Sequence, residues 1–361
     1  MRLFQNSALY PSYRPRLDRL TRELVGFVAH RKAFLDDRFG ACHFLEPVLN
    51  GDASAFFTNG DDESLQQLWA SEQGMPGTPA LSEILISQIE HHRTEVFYNL
   101  DPLRYGSDFV RRLPGCVKHS IAWRAAPSPG ADFGAYDRVV CNFPSILKSY
   151  SDRGWRTAHF MPAHDPEMDA YATNTDRPVD VLFIGGYTRH HRRRAEVLET
   201  VATLRQRHRI VFHLDSSRLT RLAESTLGRM LPLGRHRRPE AICALSAPPV
   251  FGRDLYAAIS KAKIVLNGAV DMAGDDRGNM RCFEAMGCGA LLVSDVGRYP
   301  AGIDAGHSMM TYSDATAAAS VVSDALSKPD QTRAIAAIGH ESIRQRYSKA
   351  RQWQDFQRLY G

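Results

Sequence analysis

The sequence contains no run of roughly eighteen apolar residues, the length that spans a bilayer as a helix. Its first stretch, MRLFQNSALYPSYRPR, passes from a strand-like hexapeptide into polar residues without a signal-cleavage pattern, and a cytoplasmic protein is expected. The six cysteines, Cys42, Cys116, Cys141, Cys243, Cys282 and Cys288, are scattered. None forms a C-x-x-C pair or joins histidines at zinc-ligand spacing, which argues against a structural metal and against a disulfide framework. No G-x-G-x-x-G fingerprint is present. Gly185 and Gly186 end a strand-like run, but no glycine follows closely behind them, and this counts against a dinucleotide cofactor. No short-period repeat is present. Aromatic residues are not interleaved with the arginine clusters HHRRR (190–194), RQRHR (205–209) and GRHRR (234–238), so stacking platforms for nucleic acid are missing. With a net charge of +5, those clusters are left as solvated faces or as an attraction toward an anionic ligand or an anionic membrane surface.

What is there is an ordinary folded composition, 43% hydrophobic and 24% charged, on 361 residues, enough for two domains of similar size. MRLFQN (1–6) reads as a buried strand, followed by one long helix in which Leu17, Leu20, Leu24 and Phe27 recur at three- and four-residue steps. Apolar, β-prone runs follow at 95–100 (EVFYNL), 117–123 (VKHSIAW) and 138–142 (RVVCN). Residues 164–180 are polar, hold two prolines and read as a linker. A second set begins with VDVLFIGG (179–186) and a helix through Val197, Leu198, Val201 and Leu204. It continues through strand IVFHLD (210–215), helix RDLYAAISKA (253–262), and strands KIVLNG (263–268), ALLVSD (290–295) and SMMTY (308–312). Alternating strand and helix is the pattern of a parallel sheet, so the expected class is α/β with Rossmann-like domains at 1–170 and 171–348. Residues 331–348 and 350–361 have helical period, and Trp353, Phe356 and Tyr360 make an apolar stripe that must pack somewhere.

Two stretches carry chemistry. In FIGGYTRHHRRRAEVLETVA (183–202) a strand, two glycines and a helix expose backbone N–H groups at a positive helix end, an arrangement that holds phosphate. Gly185, Gly186 and Tyr187 form the bend, and His190 can bond a phosphate or a sugar. The plainer reading is a glycine-eased turn. In DMAGDDRGNMRCFEAMGCGALLVSD (271–295) Gly278 gives a turn, Asn279 is the expected N-cap, and Arg281 and Glu284 follow early in the helix. A carboxylate such as Glu284 accepts two hydrogen bonds, which suits a ribose diol, while Arg281 suits a phosphate. Against this stands a packing helix whose glutamate caps a neighbouring loop. Ala285, Gly287 and Gly289 are small, so backbone or ligand can come close.

The run FEAMGCGALLVSD (283–295) resembles the donor-site signature of GT-B glycosyltransferases, in particular bacterial group 1 transferases related to the CgeB spore-maturation protein. The DVLFIGG turn with its His/Arg-rich helix, at 180–194, is similar to the same subgroup, and the resemblance extends over roughly residues 135–312. It implies two Rossmann-like domains facing across a cleft. The N-terminal one holds the acceptor, the C-terminal one holds a nucleotide sugar, and the final helix (349–361) returns to the N-terminal domain. It also implies Glu284 on the nucleotide ribose and Asp276, one methylene shorter than the usual glutamate, toward the donor sugar. Ligands in open α/β sheets sit at the carboxyl ends of strands, so Gly185, Gly186, Tyr187, His190, Asn267, Asn279, Arg281 and Glu284 are the expected donor contacts. On the first domain Asn6–Tyr10, Asp101, Arg104, Trp123 and Arg124 face them. Asp101 is either a turn former before Pro102 or, if the reaction inverts, the general base. Leaving-group charge can be met by Arg281, His190 and helix-end N–H groups, so neither metal nor cofactor is expected. The expected activity moves a sugar from a nucleotide-sugar donor to a saccharide or lipid-linked acceptor, in bacterial surface polysaccharide synthesis, in the cytoplasm or at the inner membrane face. Competing readings are a nucleotide-sugar epimerase or a phosphorylase of the same fold, and a non-catalytic binder of nucleic acid or anionic surfaces.

Overall fold

Short apolar runs flanked by turn formers become the strands of two parallel sheets. The computed structural model describes residues 1–187, 191–268 and 272–361, and these divide into two units, Met1–Ala163 with Lys349–Gly361, and His164–Ser348. The first unit holds β1 (Leu3–Ser7), β2 (Ala55–Asn59), β3 (Val96–Asn99), β4 (His119–Trp123), β5 (Arg138–Cys141) and β6 (Thr157–His159), in the order β2-β1-β3-β4-β5-β6. Every pairing is parallel. Leu3, Phe4, Val96, Phe97, Val139 and Val140 are all buried, as both faces of a helix-covered sheet require.

The second unit holds β7 (Val179–Gly186), β8 (Ile210–Asp215), β9 (Ser246–Ala247), β10 (Ala262–Leu266), β11 (Leu291–Asp295) and β12 (Met310–Tyr312), in the order β12-β11-β10-β7-β8-β9. Its pairings are parallel too. Counted from β7, this is the doubly wound 3-2-1-4-5-6 order, and the direction of winding switches between β7 and β10. Val181, Phe183, Phe212, Leu266 and Val293 from the sheet share one core with Leu198, Val201 and Val322 from its covering helices.

The last helix, Lys349–Gln357, belongs to the first unit. Phe356 is fully buried, its ring 4.8 Å from Tyr98 and 5.7 Å from Phe160. Lys349 is buried as well, and its ammonium donates to the carbonyls of Ala41 (2.6 Å), Phe44 (2.7 Å) and Cys42 (3.2 Å). The apolar stripe therefore packs into that unit, and the ammonium buried beside it is met by backbone carbonyls and by Gln352 Oε1 at 3.0 Å.

Four expectations need correcting. The first helix is two, Arg14–Thr21 and Phe27–Asp36. Gly26, at φ 90°, interrupts it, and the Phe27 N–H that opens the second helix is taken by the Glu72 carboxylate at 2.7 Å, so Leu20 and Leu24 are left exposed. Residues 164–180 are packed and not a free linker. Met168–Ala172 is helical, and buried Asp165 accepts from Tyr256 Oη at 3.1 Å. The period read over 350–361 ends as helix at Gln357. Strands β2, β6 and β9 were not expected at all. Among the described residues no helix is long and apolar enough to cross a membrane.

Candidate active site

At the winding switch of the second unit, the carboxyl ends of β7 and β10 lie side by side, with Phe183 opposite Leu266 in the ladder. Gly185 and Gly186 end β7, and a Cβ at Gly186 would meet nothing within 4 Å. Its backbone faces open space. Tyr187 folds back: its hydroxyl donates to Glu199 at 2.5 Å and its ring packs on the core. His190 lies outside the described residues.

From β10 the chain reaches the helix Met280–Gly287 through a loop that is tied down at several points. Asn267 is buried. Its Nδ2 donates to Ser294 Oγ at 3.0 Å, and its carbonyl accepts from Tyr312 Oη at 2.6 Å. Asn279 occupies the N-cap position, but its side chain makes no cap bond; its Nδ2 donates to Asn267 Oδ1 at 3.3 Å instead. The Cys282 thiol donates to Asn279 Oδ1 at 3.5 Å, and burial pushes that thiol up to about 12, so it stays a donor at neutral pH. The helix therefore begins with its first N–H groups uncapped by the expected side chain. Gly278, at φ 106°, makes the entry possible, since a Cβ there would lie 2.7 Å from Pro300 Cγ.

Residues Cys282 to Gly287 are all buried, Glu284 among them at 4% exposure. Its Oε2 accepts from Arg281 Nη1 at 2.6 Å, and its other oxygen has no hydrogen-bond partner among the described residues. Arg281 Nε is buried and likewise without a partner among them. Burial raises the Glu284 pKa, and Arg281 opposes the shift. A fixed acceptor and a fixed donor thus sit next to each other on one helical turn. The small residues behind them serve packing: a Cβ at Gly287 would meet Met168 Sδ at 2.4 Å, and one at Gly289 would meet the Ala172 carbonyl at 3.1 Å.

Asp276 is buried in the same loop, with Oδ1 held by Arg298 through Nε at 3.1 Å and Nη2 at 2.9 Å. Arg277 beside it donates to Asp295 at 2.7 Å, and Arg194 from the helix after β7 donates to Gly268 O at 2.6 Å. These three arginines went unnoticed as site builders. Arg194 lies inside the HHRRR cluster, which was a usable signal; the partners of Arg277 and Arg298 are set only by folding.

Asp101 lies in the other unit, just past the carboxyl end of β3, where that sheet also changes winding direction between β1 and β3. Burial raises its pKa while Arg104, 3.5 Å away, and Arg124 oppose the shift. Asp61 is a neighbour that sequence reading passed over. Both its oxygens accept the Leu9 N–H, at 3.1 and 3.0 Å, and burial with the charge of Asp101 raises its pKa.

The chain matches no curated protein. Residues 228–358 match the Glyco_trans_1_2 family, described as glycosyl transferase-like, a span that includes Asp276, Arg281 and Glu284 but stops short of the diglycine bend. Among solved structures, Anabaena Alr3699/HepE, crystallised with UDP and glucose, is similar over 99% of this chain and 98% of that one, with a TM-score of 0.59 at 12% identity. Sucrose-phosphate synthase from Thermosynechococcus elongatus gives 0.56 at 13% identity over 100% and 98%. A glycosyltransferase from Rickettsia africae gives 0.51 at 10% identity over 99% and 97%. At such identities the likeness is one of fold. The chain takes the GT-B fold along its length, and its residues 228–358 are similar to the glycosyl transferase-like family.

Proposed function

We propose that the protein transfers a sugar from a nucleotide-sugar donor to a saccharide or lipid-linked acceptor, the nucleotide lying at the carboxyl ends of β7 and β10. The observation that carries this reading is Glu284: a buried carboxylate with one oxygen held by Arg281 and the other open, on the helix that follows the winding switch. Such an acceptor suits a ribose diol. The adjoining Arg281 donor, the uncapped N–H groups at Met280 and the open backbone at Gly186 suit a diphosphate, whose charge they meet without a metal. HepE, which shares the fold, binds UDP, glucose and UDP-glucose in its crystals, in support of a donor of this class.

Within this reading Asn267, Asn279 and Tyr187 shape the pocket from behind, since their side chains are occupied by protein partners. Asp276, ion-paired to Arg298, positions the donor loop toward the sugar and does not move a proton. Asp101 is the proposed base for the acceptor hydroxyl, because burial raises a carboxyl toward the range where it can take a proton. The resemblance of 180–194 and 283–295 to CgeB-like transferases supports placing the protein in that subgroup, in surface polysaccharide assembly at the inner face of the membrane. Thermal shift with a panel of nucleotide sugars, followed by transfer assays with the stabilising donor, tests the reading. A donor that raises Tm and is consumed only when acceptor is present supports it, and a panel without any stabilising compound overturns it.

A further inference from the structure

Between β8 and β9 the chain makes an excursion, residues 216–241, that sugar transfer does not use. Its helix, Arg218–Glu224, is capped by Ser217, whose Oγ accepts the Thr220 N–H at 3.0 Å. Two arginines hold the remainder onto that helix from within. Arg237 donates from Nε to the Ala223 carbonyl at 2.9 Å and from Nη2 to those of Gly228 and Leu231 at 2.6 and 3.1 Å. Arg238 clasps Glu224 through two bonds, 2.7 and 2.6 Å long. Gly228 is demanded by the same packing, since a Cβ there would lie 1.7 Å from the Leu222 carbonyl oxygen.

The excursion is therefore a built shape, yet its large apolar side chains turn outward. Met230 is 84% exposed and Leu227 76%, while Leu219, Leu222 and Leu231 are about half exposed. Around them stand Arg218, Arg221 and Arg235, all exposed. The nearby carboxylates are Glu224, already taken by Arg238, and the exposed Asp215 and Glu240. Polar groups are satisfied inside and apolar ones face the solvent, the reverse of an ordinary surface loop. Protruding aliphatic side chains ringed by cations match one kind of surface, a bilayer whose acyl boundary takes the leucines and methionine while its phosphates meet the guanidinium groups.

We propose that residues 217–235 form a membrane-contact surface that seats the second unit on an anionic lipid bilayer. The interaction is independent of donor binding, and its test uses no sugar, so its failure would leave the transferase reading standing and the reverse holds too. Co-sedimentation of the full chain compares phosphatidylcholine vesicles with vesicles containing about one third phosphatidylglycerol. Binding to the anionic vesicles is expected to be at least about tenfold stronger than to the neutral ones, and to weaken with salt. Leu227→Glu and Met230→Glu are each expected to lower it about tenfold, and Arg218→Gln and Arg221→Gln about fivefold each. Tm should be unchanged in all four, because the positions are exposed. As a second readout, Leu227→Trp should show a blue-shifted emission with anionic vesicles. Equal binding to both vesicle types, or full binding by the two glutamate variants, overturns the proposal. So does a vesicle-free dimer that the same variants dissociate, which would assign the patch to a second copy of the chain.

Discussion

Arg281 and Glu284 lie one helical turn apart and share a 2.6 Å hydrogen bond on a helix that is buried from Cys282 to Gly287. That pair is unusual for an i, i+3 contact because it is desolvated. An exposed pair of this spacing contributes a few tenths of a kcal/mol, whereas here removal of the charge from water dominates, as the raised Glu284 pKa shows. A buried carboxylate carried at such a cost marks a candidate functional group.

Glu284→Gln tests this. Glutamine keeps an oxygen for Arg281 but loses the charged acceptor, whose bond to a hydroxyl is worth about 1.5–3 kcal/mol. Nucleotide affinity by calorimetry should fall about 10- to 100-fold. A carboxyl whose folded pKa is raised favours the fold below its unfolded pKa, and that contribution is lost as pH rises through the folded pKa. At pH well above that point the neutral isostere should hold Tm level or raise it.

The same shift sets a pH dependence of binding. The ribose needs the ionised carboxylate, so affinity for a nucleotide sugar should decline as pH falls through a value above the ordinary 4.5 of a glutamate. The diphosphate diester of the donor does not titrate in that range. In Glu284→Gln the acid-side decline should vanish.

Asp101→Asn separates chemistry from binding. If Asp101 takes the acceptor proton, kcat should fall about 10²- to 10⁴-fold with donor affinity unchanged. Its raised pKa places an acid limb in the rate profile of the parent enzyme. Unaltered kcat would leave Asp101 as the turn former before Pro102.

Gly278→Ala should damage the site through the backbone. At φ 106° a side chain is strained, and its Cβ would press on Pro300. A loss of about 1–3 kcal/mol is expected, read as a lowered Tm together with weaker nucleotide binding.

Lys349→Met should unseat the C-terminal helix. The Phe44 carbonyl would lose its Lys349 donor, while those of Ala41 and Cys42 would each lose one of several, and a stability loss of about 1–3 kcal/mol is expected in denaturant unfolding.

The central strands were legible because burial on both faces writes itself into the chain as continuous apolar runs. FIGG at the end of β7 and VLN at the end of β10 carry that signal. Strands β6 and β9 sit at sheet edges, as Thr-Ala-His and Ser-Ala, and carry no such signal. The break at Gly26 was masked because Leu17 and Phe27 keep the apolar spacing across it while Leu20 and Leu24 point to solvent. In the site, Glu284 stood out as a charge inside an apolar helix. Its tie to Arg281 is local and readable from spacing. The Asp276–Arg298 and Arg277–Asp295 pairs join residues brought together only when the loop before the helix lies along the end of β11 and the turn after it, as the Asp276–Arg298 bridge shows. Local pattern carries no record of such pairs.

A crystal structure with the nucleotide sugar that most raises Tm decides where the donor sits. The ribose hydroxyls are expected on Glu284 and the diphosphate at Arg281 and the Gly185–Gly186 bend. Density for the nucleotide away from β7 and β10, with the Glu284 carboxylate touching only Arg281, would contradict the assignment.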